Sequence, residues 1–226
     1  IDAYASEIYV YLNYDKERGY SIIIADNGVG MDSDIMRDAI KLGSNLKEYS
    51  QSQLGIYGLG LDTASIGVCK NLQIFSKTAD SDISICSQDI DIICEKDDFV
   101  IDGPKKADKD EENFFKSHVP SGPGTIIVWT KCDKILDKNV ENVSKIIEKY
   151  IASTYRVFMG LPGNAAINIY LNGKLIEPAD PLMLNYDGPC VEKTQVWSDD
   201  HYLLKIKDQE GKDIEEEVRC RMVLLP

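Results

Sequence analysis

The chain has 226 residues, enough for one large domain or two small ones, and 43% of them are hydrophobic, which suits a packed core. Its formal charge of −13 disfavours free association with a nucleic-acid backbone. Six cysteines (69, 86, 94, 132, 190 and 220) form no C-x-x-C pair, His118 and His201 lack ligand spacing, and no apolar run is long enough to cross a membrane, so zinc-site and membrane-span patterns are missing.

Glu7 to Tyr14 alternates and predicts a strand, with Tyr20 to Ala25 as its partner across the polar turn 15–19. The loop Ala25-Asp26-Asn27-Gly28-Val29-Gly30-Met31-Asp32 follows. A carboxylate at a strand end can accept from the exocyclic amine of a purine, and two glycines one residue apart let backbone lie close to a ring. Asp-Asn-Gly alone is also a common hairpin turn. Ser33 to Leu42 predicts a helix capped by Asp32 or Ser33 and stopped at Gly43. Residues 44–54 are polar and fit either a mobile lid or a plain insertion.

A second glycine cluster reads Leu54-Gly55-Ile56-Tyr57-Gly58-Leu59-Gly60-Leu61 and runs into helical spacing at Leu61, Ala64, Ile66 and Val68. Backbone N–H groups at a helix start, with the positive end of its dipole, suit an anion such as triphosphate. The order G-x-x-G-x-G is neither the dinucleotide fingerprint nor a P-loop.

Asn71 to Lys77 predicts a strand, and Asp82 to Cys94 one or two more from its alternating isoleucines. Residues 102–118 read as a charged surface insertion, and the acidic stretches Asp89 to Glu112 and Asp208 to Glu217 as solvated loops. Thr125 to Thr130 returns to the sheet, where the Thr125 hydroxyl at the strand start could back up Asp26. Val140 to Ile151 has strong helical spacing. Together these predict an α+β, two-layer sandwich: a mixed, mostly antiparallel sheet with helices on one face. Beyond it, Ala166 to Leu171 and Lys174 to Ile176 form a hairpin about Asn172-Gly173. Cys190 to Trp197, His201 to Lys207 and Glu217 to Leu224 predict strands with turns at Ser198–Asp200 and Gln209–Gly211. The expected boundary divides 1–159 from a β-rich region, 160–226.

In this order, Asp26-x-Gly28-x-Gly30, Gly55-x-x-Gly58-x-Gly60 and Gly124-Thr125 resemble the adenine box, the lid and phosphate box, and the later strand of the GHKL ATPases. That superfamily holds gyrase B, the ninety-kilodalton heat-shock chaperone, histidine kinases and MutL. The resemblance covers residues 1–130. It implies the Bergerat ATP-binding fold, with ATP held by Asp26, Gly28, Gly30, Met31, Gly55, Ile56, Tyr57, Gly58, Leu59, Gly60 and Thr125. It also implies Mg²⁺, ATP hydrolysis, lid closure, ATP-dependent homodimerisation and a transducer-like β-rich region. Ile1-Asp2-Ala3 looks like the tail of the family's E-x-x-x-N-x-x-D-A helix, so the catalytic Glu and the Mg²⁺-binding Asn are expected upstream and no catalytic or metal-binding residue is assigned within the chain.

Leu42-Gly43-Ser44-Asn45-Leu46-Lys47 and the run 154–182 resemble MORC-type and MutL-type members most. Those relatives suggest DNA as a partner through other parts of a longer protein. MORC-like chains carry Lys where Asp62 stands, and a carboxylate there repels phosphate unless a cation intervenes. A nucleotide-gated module that binds without hydrolysing therefore stays open, as does a histidine kinase catalytic domain. The transducer lysine of some relatives cannot be placed, and Lys174 reads as a hairpin surface residue. Scattered cysteines fit reduced, buried thiols and no signal peptide is visible, so the expected location is cytoplasmic, with no membrane partner.

Overall fold

The computed structural model describes residues 1–40, 60–98, 100–159, 167–182, 194–207 and 211–225. The chain forms two compact units, Ile1–Pro178 and Ala179–Pro226.

The first unit opens with β1 (Glu7–Asp15) and β2 (Gly19–Asp26), an antiparallel pair. Asp15 closes their turn by accepting from the N–H groups of Glu17 and Arg18, each at 2.9 Å. Next comes α1 (Ser33–Ala39), which starts where Asp32 accepts from the N–H groups of Asp34 and Ile35. The described chain resumes with α2 (Gly60–Val68), β3 (Asn71–Lys77), β4 (Ser84–Asp89), α3 (Ile90–Lys96), β5 (Asp102–Lys106), α4 (Lys109–His118), β6 (Gly124–Cys132), α5 (Val140–Thr154), β7 (Asn168–Leu171) and β8 (Lys174–Leu175). Among the described residues, eight strands form one sheet in the order β5-β4-β3-β6-β2-β1-β7-β8. Only β1 and β7 pair in parallel, so the unit is α+β with a mixed, mostly antiparallel sheet, consistent with the Bergerat fold.

Strand alternation divides the apolar residues between two faces. Leu72, Ile74, Cys86, Ile127 and Trp129 pack with Met36 and Ile40 at α1 and with Leu61 of α2. Ala25, Phe75, Ile85, Ile126 and Val128 turn the other way and pack with Phe115 of α4 and Val119 just beyond it.

Several expectations change. Ile90 to Cys94 is helical rather than extended, because Asp89 turns out of β4 and caps α3 by accepting from the N–H of Asp91. Residues 102–118 are no mere surface insertion: β5 extends the sheet beside β4, and α4 buries Phe115. A reciprocal capping box, Asp108 with Glu111, starts α4. The acidic stretches, read as loops, lie largely in α3, β5, α4 and the second unit's last strand.

The hairpin of β7 and β8 belongs to the first sheet. Ile8 lies opposite Ile169, and the Asn172 side chain accepts from the Leu12 N–H at 2.8 Å. The break between compact units therefore falls at Pro178, later in the chain than the sequence boundary at residue 159.

The second unit contains β9 (Gln195–Lys207) and β10 (Asp213–Leu224), paired antiparallel. No turn interrupts Ser198–Asp200. Asp199 takes ion pairs from both Arg219 and Arg221 across the ladder, which neutralises a side chain that otherwise favours turns. One face of the ribbon carries Leu204, Tyr202 and Val218; the other carries the pairs Lys205–Glu215, His201–Glu217 and Asp199–Arg219.

Candidate functional site

Three polar residues lie side by side across neighbouring strands: Asp26 at the end of β2, Thr125 at the start of β6 and Ser76 near the end of β3. They share the face that carries Ile127 and Ile74, which is the face of α1 and α2. An apolar layer thus ends in a polar row at one rim of the sheet.

Asp26 accepts from the Gly28 N–H at 2.8 Å, a tight Asx turn that leads the chain off the strand. Burial raises its carboxyl above the ordinary value, against the pull of the Gly28 and Thr125 N–H groups. The loop after it is pinned from several sides. The Asn27 side chain accepts from the N–H groups of Ser6 and Glu7, at 2.9 and 3.0 Å, and donates to the Ser6 hydroxyl. The Val29 N–H donates to the Ala3 carbonyl. A Cβ on Gly28 would lie 2.6 Å from that same carbonyl. Gly30 has φ +71°, and a Cβ there would lie 1.9 Å from the Lys77 carbonyl. The Met31 N–H donates to Ser76 Oγ at 2.8 Å, while the Met31 side chain packs on the α1 cluster.

Ser76 is fully buried and Thr125 nearly so. Ser76 Oγ lies 3.0 Å from the Gly124 carbonyl and 2.9 Å from Thr125 Oγ1. Four residues along β6, the Trp129 indole N–H donates to Ser65 Oγ, which in turn donates to the Leu61 carbonyl. That chain of bonds ties α2, which begins at Gly60, to the strand carrying Thr125.

The structure therefore brings Asp26, Gly28, Gly30, Met31 and Thr125 together at one rim. Gly60 opens α2, and among the described residues no atom outside its own helix backbone and chain neighbours lies within 4 Å of a Cβ placed on it. Gly55, Ile56, Tyr57, Gly58, Leu59 and the stretch 44–54 lie outside the described residues, as does the side chain of Asp62. Sequence reasoning passed over Ser76, although Leu72, Ile74 and Ser76 follow one inward alternation and a hydroxyl at an inward position is a signal. It also passed over Asn27 as a clamp. Among the described residues, no three His, Cys, Asp or Glu side chains gather as metal ligands, and no helix is long and apolar enough to cross a membrane.

The site presents a half-buried carboxyl and a buried hydroxyl beside a glycine loop whose shape is set by its own framework. Such a rim suits a flat ligand that donates hydrogen bonds. The sequence model of the histidine kinase-, DNA gyrase B- and HSP90-like ATPases matches residues 1–120. The ATPase MORC2B of Mus musculus is 35% identical over 77 residues, which are 34% of this chain and 8% of that protein. The ATPase MORC2 of Homo sapiens is 32% identical over 81 residues, 35% of this chain and 8% of its own length. The match thus spans less than a tenth of these curated relatives.

Proposed function

The chain belongs to the histidine kinase-, DNA gyrase B- and HSP90-like ATPases, and from that premise we propose that its first unit binds ATP at the Asp26 rim and supports its hydrolysis. The observation that carries this reading is the half-buried Asp26 carboxylate beside Thr125. It is an acceptor whose Oδ1 already takes the Gly28 N–H, so it has capacity left for a donor such as an exocyclic amine.

The residues present fit the base. Gly28, Gly30 and Met31 hold the loop under it, and Thr125 stands beside Asp26. The phosphates would extend toward the segment Gly55, Ile56, Tyr57, Gly58, Leu59 and Gly60, where the start of α2 carries the positive end of a helix dipole. Mg²⁺ bound with the nucleotide would neutralise phosphate charge. The chain's own part is to grip the base, orient the triphosphate and, by closing residues 44–54, exclude water. Closure would favour pairing of two copies and pass the nucleotide state into the β-rich region.

Calorimetry with a non-hydrolysable ATP analogue and Mg²⁺ tests the site. Asp26→Asn should weaken binding by roughly 10- to 150-fold, the loss of a hydrogen bond to a charged group. Equal affinity in the variant would remove Asp26 from the site. Asp62 favours a second reading, in which ATP is bound and gates assembly without turnover. Binding without phosphate release would select it.

A further inference from the structure

A serine hydroxyl has one proton and two lone pairs, and around Ser76 all three are accounted for. The Met31 N–H approaches at 2.8 Å and can only donate, so it takes one lone pair. The Gly124 carbonyl at 3.0 Å can only accept, so the Ser76 proton must lie on that line; otherwise two oxygens would face each other lone pair to lone pair. The remaining neighbour is Thr125 Oγ1 at 2.9 Å. With the Ser76 proton committed, Thr125 must be the donor of this pair. Its single proton then points inward, and its lone pairs face the rim it shares with Asp26.

We propose that Ser76 is a specificity-determining residue, holding the Thr125 hydroxyl as an acceptor so that the site prefers a 6-amino purine over a 6-oxo purine. The inference rests on the reading of this rim as a nucleotide site. Asp26, whose Oδ1 already accepts from the Gly28 N–H, and the oriented Thr125 both present acceptors, and a base with an amine, directly or through a water it donates to, satisfies them. A carbonyl at the same position meets acceptors with an acceptor, and a buried mismatch of this kind is costly. Ser76 reaches no ligand itself. It acts by fixing the direction of a proton one hydroxyl away, and the full burial of Ser76 keeps bulk water from reversing it.

The test compares the Mg²⁺ complexes of β,γ-imido-ATP and β,γ-imido-GTP on the full chain by calorimetry, with thermal unfolding recorded for each variant. The unaltered protein should prefer the ATP analogue. In Ser76→Ala the Thr125 proton is released, and the preference should narrow by roughly 3- to 10-fold. Thr125→Ser keeps the hydroxyl and should keep the preference. Thr125→Val should narrow it, and Ser76→Ala combined with Thr125→Val should narrow it no further than Thr125→Val alone. A purely structural Ser76 would lower the unfolding temperature and both affinities together and leave their ratio unchanged, which would overturn the proposal. If Ser76→Ala fails to fold, Ser76→Cys, whose thiol is a poor acceptor for the Thr125 proton, carries the same comparison. Equal binding of both analogues by the unaltered protein would overturn this inference and leave the nucleotide reading intact. Binding of neither would overturn both.

Discussion

Gly30→Ala separates two reasons for a glycine at that position. One is close approach to a ligand; the other is the protein's own framework. At φ +71° an alanine sits in the left-handed region, at a cost of about 1–2 kcal/mol. Its Cβ would lie 1.9 Å from the Lys77 carbonyl oxygen and 2.6 Å from the carbonyl carbon, both backbone atoms that no side-chain rotation can move. The loop must retreat by about 1 Å, which strains the Met31 N–H bond to Ser76 and adds roughly 1–3 kcal/mol. The expected loss is about 2–5 kcal/mol, a large share of an ordinary domain's stability. Urea unfolding followed by Trp129 emission measures it, in a Trp197→Phe background that removes the other tryptophan. A midpoint shift worth less than about 0.5 kcal/mol at unchanged slope would refute the steric argument. Strong loss of nucleotide binding with that small shift would return Gly30 to the ligand.

Gly60→Ala should behave in the opposite way: the position is open and helical, so stability should rise by about 0.5–1 kcal/mol, and a clear loss on unfolding would contradict the geometry. Phe115→Ala should cost about 3–5 kcal/mol in the same urea assay, because its ring fills the sheet face opposite α1. Nucleotide affinity should barely change there, and a cost under 1 kcal/mol would place α4 outside the core. For Asp26→Asn the sign follows from the raised carboxyl. A raised folded pKa gives stability that is present below the ordinary value of 3.8 and lost as pH rises through the folded value. The stability of the unaltered protein relative to Asp26→Asn should therefore decline above about pH 4 and then level off. Urea titrations at several pH values check this, and a difference that grows with pH would refute it.

The sequence made the central strands legible because their patterns are unambiguous. Asn71 to Lys77 alternates through Ile74, and the Tyr20 to Ala25 run is bounded by a turn and the Asp26 loop. It misled where one local signal stood for another. Ile90 and Ile92 alternate like a strand, yet Asp89 at a cap position decides for helix. Asp199 reads as part of a turn because its neutralising arginines stand some twenty residues away, on β10. In 102–118 the charges hid the Asp108–Glu111 capping box and the Phe115 it sets up. A parallel pairing such as β1 with β7 depends on contacts across 160 residues, which no local pattern carries.

The candidate-site residues were legible for a reason that lies largely in the protein's own framework. Gly28 and Gly30 point to a ligand in sequence, but the nearest atoms to their missing side chains belong to Ala3 and Lys77. Asn27 spends its side chain on Ser6 and Glu7, and Met31 spends its N–H on Ser76. The loop is thus held from two separate segments: residues 3–7 grip Asn27, Gly28 and Val29, and the end of β3 grips Gly30 and Met31. On the proposed reading, a loop fixed in this way would need little reorganisation to take a base, which would leave more of the interaction with Asp26 for affinity and discrimination. Loosening the frame at Ser76 or Gly30 should therefore reduce selectivity even though neither side chain meets the ligand.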